Sequence, residues 1–299
     1  MRGSIKIGNK KRLIAFFGAL LIALVVFAVE EYKTRYNEGE SDETGELIYV
    51  HSIDVGQGDS TLIESPYGNI LIDAGTNESE IDLYGYLINE GISTIDYCIL
   101  THPHEDHIGG ADMILGSFDV KRVIMTDVEA TSYVYERLLT SLEGSGAEVI
   151  LANVGDIYKM GEISIAILGP IDLDSQTDLN NSSIVSRITY GDVRMLFMGD
   201  AEHFSEKRLL KTISAVEFDS DFLKLGHHGS STSSGDDFMD AVTPYIGLIS
   251  CGENNSYAHP HREVITMLQK RGIECFRTDL MGDVVFECDG QRIYNISED

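Results

Sequence analysis

Leu100-Thr101-His102-Pro103-His104-Glu105-Asp106-His107-Ile108-Gly109-Gly110 places four side chains of metal-ligand type, His102, His104, Asp106 and His107, within six residues. The run ahead of them, Tyr97-Cys98-Ile99-Leu100, is wholly apolar, as a strand buried on both faces is. The Gly109-Gly110 pair behind them admits the entry to a helix. A loop between a buried strand and a helix can aim its side chains at one point. In extended backbone, residues two apart share a side, so His102 and His104 point together. Asp106 and His107 follow as the loop turns into helix. Imidazole with carboxylate is a ligand set for zinc, manganese or iron.

The other ligand-type residues fall in the same kind of place. Asp73 closes Ile70-Leu71-Ile72, Asp200 follows Met195-Leu196-Phe197-Met198-Gly199, and His227 and His228 follow Phe222-Leu223-Lys224-Leu225. Seven of the nine histidines (102, 104, 107, 227, 228, 259 and 261) lie in three short clusters, which random placement would scatter. Loops at strand ends are where a sheet scaffold presents its reactive groups to a shared cleft.

Around these loops the apolar pattern predicts strands over residues 47–53, 60–64, 69–73, 96–100, 122–125, 148–151 and 163–168. Helices are predicted over 80–89, from 109 onward and over 132–143. The second half echoes the first. A hairpin over 183–190 and 193–198 turns at Gly191-Asp192, and strands over 222–225 and 245–250 alternate with helices over 202–211, 236–242 and 261–271. A last hairpin is predicted between Cys275 and Cys288. Two β-rich halves that each carry helices indicate an α+β domain over 47–299, with two sheets face to face and helices outside.

Four cysteines are present and none forms a C-x-x-C pair, which argues against a structural zinc knuckle. Cys98 and Cys251 sit in apolar runs and read as buried. Cys275 and Cys288 are equidistant from Met281-Gly282, so the expected hairpin would set them opposite one another, as a disulfide in an exported domain or as two thiols.

The chain has 22 Lys+Arg against 49 Asp+Glu, a formal charge of −27 over 299 residues. Five of the basic residues (Arg2, Lys6, Lys10, Lys11, Arg12) lie in the first twelve, so the remainder carries −32. Such a body repels polyanions at long range, and no stable nucleic-acid-binding surface is expected. Residues 13–29 are an uncharged run of 17, which as a helix spans ~25 Å, the short end of a membrane crossing. Basic residues precede it and Glu30-Glu31 follow. This sets residues 1–12 in the cytoplasm and the rest outside, with a single-pass signal anchor in the cell membrane. A signal peptide cleaved near Val26-Phe27-Ala28 is the competing reading. Residues 30–46 are polar and form a linker.

With THPHEDHIGG (101–110), LIDAG (71–75) and GDAE (199–202), the sequence resembles the metallo-β-lactamase superfamily. With DVGQGDS (54–60), NNSSIV (180–185), LKLGHHGS (223–230) and His259-Pro260 it is similar, more narrowly, to the hydrolase domain of the ComEC-type DNA-uptake competence proteins. The resemblance implies a four-layer αββα sandwich and two divalent metal ions, zinc or manganese, between its sheets. It implies His102 and His104 as ligands of one metal, Asp106 and His107 as ligands of the second, and Asp200 as the bridge. One of His227 and His228 completes the second site, with His228 the favoured ligand and His227 a phosphate contact. Asp73 is implied to orient a ligand, and Asp59, Asn180 and Ser183 to orient ligands or touch substrate. Asp106, His227 and His259 are the catalytic candidates, His259 as general acid or substrate contact. The interval between Gly110 and Asp200 holds no histidine, where the wider superfamily has a third one for the first metal. The first site is thereby less nitrogen-rich and more open to manganese.

The chemistry so implied is metal-assisted hydrolysis of a phosphodiester, possible substrates including DNA, outside the membrane. The alternatives are hydrolysis of another ester, a thioester, a lactone or a β-lactam, or a surface module that keeps metal for structure.

Overall fold

The strand that feeds the histidine loop is buried on both faces. Tyr97 and Ile99 join a core shared by two sheets, whereas Cys98 and Leu100 pack with residues of the outer helices. The computed structural model describes residues 46–171, 173 and 178–297. The segments expected to form the membrane anchor (13–29) and most of the linker lie outside them. Among the described residues no helix is long and apolar enough to cross a membrane.

Among the described residues, seventeen strands follow in chain order. They are β1 (Ile48–Ser52), β2 (Thr61–Ser65), β3 (Gly68–Ile72), β4 (Thr94–Ile95), β5 (Tyr97–Leu100), β6 (Asp119–Val120), β7 (Arg122–Met125), β8 (Glu148–Leu151), β9 (Ile157–Met160), β10 (Ile163–Ile167), β11 (Ser186–Tyr190), β12 (Val193–Phe197), β13 (Phe222–Lys224), β14 (Ile246–Ile249), β15 (Glu274–Arg277), β16 (Val284–Cys288) and β17 (Ile293–Asn295). The helices are α1 (Glu80–Asn89), α2 (Glu105–Ile108), α3 (Ala111–Ser117), α4 (Tyr133–Ser145), α5 (His203–Thr212), α6 (Asp236–Val242), α7 (Arg262–Arg271) and α8 (Thr278–Met281). The first sheet has the order β17-β16-β1-β2-β3-β5-β7-β8 and the second β15-β14-β13-β12-β11-β10-β9; β4 and β6 pair separately.

Strand alternation divides the apolar residues into three cores. The central one joins Ile48, Val50, Ile70 and Ile99 of the first sheet to Ile165, Ile188, Met195 and Phe222 of the second. Leu62, Leu71 and Cys98 face outward to Leu83 of α1, Ile114 of α3 and Leu138 of α4. Leu196 and Leu223 face outward to Leu209 of α5, Phe238 of α6 and Leu268 of α7. The result is the expected four-layer αββα sandwich.

The structure departs from the sequence reading in a few places. Residues 275–288 are not a hairpin. β15 pairs parallel with β14 (Cys275 beside Gly247), and β16 pairs antiparallel with β1 (Cys288 beside Ile48), so the chain crosses from one sheet to the other through α8 and Gly282. The two cysteines therefore belong to different sheets and are free thiols, as are Cys98 and Cys251. The strand expected from residue 183 begins at Ser186, because Asn180–Ser182 form a 3-10 turn. β9 and β17 had no counterpart in the sequence reading.

Candidate metal centre

Within the first sheet β3 and β5 run parallel, and within the second β12, β13 and β14 do. Their C-terminal ends carry Asp73, the 102–107 loop, Asp200, the 227–228 pair and the loop with His259. The walls of an open cleft of about 810 Å³ include His104, Asp106, Asn180, Asp200, His227, His228 and His259. Asp73, His227 and His228 hold left-handed backbone, with φ of 60°, 49° and 53°. That conformation costs a non-glycine residue about 1–3 kcal/mol and persists where the surroundings over-determine it.

The carboxylate of Asp200 is the meeting point. Its Oδ2 lies 3.9 Å from His102 Nε2, 3.5 Å from His228 Nε2 and 3.9 Å from His227 Nε2, and its Oδ1 lies 3.3 Å from His107 Nε2. His228 Nε2 is also 3.3 Å from Asp106 Oδ2, and His102 Nε2 is 2.9 Å from His104 Nδ1. All six residues named as ligands from the sequence are thus in one cluster.

The far nitrogens of the rings are held by a surrounding set. His107 Nδ1 lies 2.7 Å from Asp73 Oδ2, and Asp73 also accepts from the Thr101 backbone N–H (2.7 Å) and hydroxyl (2.8 Å). His228 Nδ1–H donates to the Ser250 carbonyl (2.9 Å), with Asp59 Oδ1 3.2 Å away. Ser183 Oγ accepts from the Asp200 backbone N–H (2.9 Å) and lies 3.3 Å from His102 Nδ1. Each contact fixes a ring's tautomer and turns its Nε2 lone pair toward Asp200. Gly58 lets the 54–60 loop close over this region. A Cβ there would collide with the Asp106 carbonyl, which accepts from the Asp59 N–H at 3.0 Å.

His227 and His259 stand apart from this set. His227 is 22% exposed at its side chain, with Nδ1 on Thr232 Oγ1 (3.0 Å) and Nε2 3.4 Å from Asn180 Nδ2. His259 lies 5.4 Å from His227 and 6.2 Å from His228, centroid to centroid. Burial and the charge of neighbouring imidazoles push its pKa down to about 4. Its imidazole is therefore neutral at neutral pH. Lys224, which the sequence reading passed over, donates to Asp59 Oδ2 at 2.5 Å from a buried position. A lysine inside an apolar strand points to a buried acid somewhere in the fold, but the sequence does not name which one.

The electrostatics suit a cation. Burial opposes charge on His107 and His228, but the carboxylates around them outweigh it, raising His107 well above the usual imidazole range and His228 to about 10. Burial likewise opposes ionisation of Asp200, and the imidazoles of His228 and His107 hold it well below its usual range. His107 Nε2 and Asp200 Oδ1 are buried without a hydrogen-bond partner. One ligand atom from each of Asp59, His107, Asp200 and His228 lies within 4.8 Å of the others. A divalent cation satisfies the lone pairs of His107 Nε2 and Asp200 Oδ1 together and displaces the ring protons, so the residues fit such an ion.

A profile of the metallo-beta-lactamase superfamily matches residues 53–253. ComE operon protein 3 of Bacillus subtilis is 31% identical over 280 residues, covering 88% of this chain and 34% of that protein. Recombination protein 2 of Haemophilus influenzae is 29% identical over 79% of this chain and 28% of its own length. The chain thus spans about a third of the length of these curated relatives. Among solved structures, the metallo-beta-lactamase fold protein YhfI of Bacillus subtilis superposes with a TM-score of 0.52 at 16% identity, over 81% of this chain and 100% of that one.

Proposed function

The chain belongs to the metallo-beta-lactamase superfamily and has its metal-dependent hydrolase fold, and from that premise we propose that it hydrolyses phosphodiesters with two divalent ions, zinc or manganese. His102 and His104 would hold one ion, Asp106, His107 and His228 the other, with Asp200 between them. The observation that carries this reading is the Asp200 carboxylate, faced at 3.3–3.9 Å by imidazoles of two chain segments about a hundred residues away on one side and thirty on the other. The bound ions would lower the pKa of water and offset the negative charge that develops at phosphorus.

The chain's own residues supply orientation and contact. Asp73 and Ser250 hold His107 and His228 with their lone pairs inward, and Ser183 fixes the backbone of Asp200. His227 and Asn180, 3.4 Å apart on the cleft wall, are placed to meet a non-bridging oxygen. Neutral His259 contacts the substrate.

The relative named for recombination supports a nucleic-acid-derived substrate. The charge of −32 outside the first twelve residues favours a short strand or a small phosphodiester over long duplex DNA. The apolar run at 13–29, basic before and acidic after, supports anchoring in the cell membrane with the catalytic domain outside.

The test is turnover of bis(p-nitrophenyl) phosphate, p-nitrophenyl acetate and a chromogenic β-lactam by the full chain, with zinc and with manganese. Phosphodiester cleavage that Asp106→Ala and Asp200→Ala abolish is expected. Turnover confined to the ester or the lactam, or none on any substrate, overturns the reading.

A further inference from the structure

A second group of metal-ligand type lies on the other face of the first sheet. In β1, Ile48 and Val50 point into the central core, so Tyr49 and His51 point outward. His51 stands beside Leu62 of β2, whose side chain joins the outer core under α1, and Glu64 shares the face of Leu62. Glu90 caps the C-terminus of α1 above them.

His51 is 4% exposed, and its Nε2 is buried without a hydrogen-bond partner. Its Nδ1 lies 2.9 Å from Tyr86 Oη. With Nδ1–H donating to that oxygen, Nε2 carries a free lone pair, and Glu64 Oε2 lies 3.5 Å from it. One ligand atom from each of His51, Glu64 and Glu90 lies within 4.8 Å of the others. We propose that His51, Glu64 and Glu90 form a divalent-cation site, separate from the cleft, that ties the β1–β2 pair to the end of α1.

The donor set defines the ion. One imidazole with two carboxylates suits a borderline ion such as zinc or manganese better than calcium or magnesium, which take oxygen ligands. Its setting is starved of positive charge. The last turn of α1 carries no basic residue, so nothing on that helix answers the partial negative charge of its carbonyl end. Burial holds His51 neutral, with its pKa pushed down to about 4, so the imidazole itself supplies no cation. Burial and the charge of Glu90 both raise the Glu64 carboxyl, a repulsion that a bound dication removes.

The test is equilibrium dialysis of the full chain against buffered free zinc, with bound metal counted per chain for the parent, Glu64→Gln/Glu90→Gln and His51→Gln. The double variant alters a partly exposed and an exposed side chain, so it leaves the fold in place even if His51→Gln disturbs it. Both variants are expected to bind one equivalent fewer than the parent, or to bind that equivalent at least tenfold more weakly. The parent's melting temperature is also expected to rise more with zinc than that of the double variant. Equal binding by the parent and the double variant overturns the proposal. Because the readout is a difference between chains with the same cleft, it does not depend on what the cleft holds or hydrolyses.

Discussion

Lys224 Nζ and Asp59 Oδ2 form a buried ion pair 2.5 Å long between positions 165 residues apart, with side chains 3% and 7% exposed. The pair ties the loop after β1 in one sheet to β13 in the other. Burial pulls the Asp59 carboxyl upward, and the charges of Lys224 and His228 outweigh it, bringing its pKa down to about 2. Lys224→Met is expected to cost about 3–5 kcal/mol in denaturant unfolding, because it strands the Asp59 charge. Lys224→Met/Asp59→Leu is expected to recover most of that loss. Its metal affinity should stay about 10–100-fold down, because His228 has lost an orienting carboxylate. A single variant as stable as the parent would remove this pair from the fold's support.

The neighbours His227 and His228 are expected to separate on substitution. His228 is buried, with Nε2 on Asp106 and Asp200, whereas His227 is partly open to the cleft. Metal analysis should find less bound metal in His228→Ala and parental metal in His227→Ala. His227→Ala should instead lose kcat by about 10²–10³, as loss of a group facing the developing charge does. The reverse pattern would exchange their roles.

Asp73 is 1% exposed beneath the cleft with Oδ2 on His107 Nδ1, so it is expected to act through that ring and not on substrate. Asp73→Asn keeps an acceptor for Thr101 and removes the charge beside Nδ1. The expected result is a metal affinity about 10–100-fold lower, read by competition with a chelating dye, with kcat at saturating metal reduced far less. Unchanged affinity would make Asp73 a packing residue only.

His51 predicts a pH dependence of stability in chelator-treated protein. Its pKa is about 4 folded, against the ordinary 6.5, so below 6.5 the unfolded chain binds the extra proton first. Stability is therefore full above pH 6.5 and falls as pH drops toward 4, by roughly 3 kcal/mol at about 1.4 kcal/mol per unit. His51→Gln should lack this slope. Parallel stability profiles for parent and variant between pH 4 and 6.5 would refute it.

What the sequence disclosed depended on how local each signal was. The 102–107 loop is contiguous, and the apolar run before it can only be a buried strand, so the centre could be read without coordinates. Asp73, Asp200 and His228 were found because each ends such a run. The Asp59–Lys224 pair was not, because its partners lie in separate halves of the chain and neither motif mentions the other. The 275–288 segment misled for the same reason. Its symmetry about Met281-Gly282 looked like local pairing, while the true partners, β14 and β1, lie outside the window. β9 went unseen because it is a four-residue edge strand with Ile157 and Lys159 outward, so only Tyr158 and Met160 mark its inward face, too short an alternation to read.

The pairing of β1 with β16 also bears on synthesis. β1 is made first among the described strands and finds β2 at once, but its other flank stays bare until residues 284–288 emerge. During that interval the nascent chain exposes unpaired amide and carbonyl groups next to Ile48 and Val50, a surface prone to stick to other chains. A ribosome stalled anywhere before residue 284 would therefore release a polypeptide that needs a chaperone.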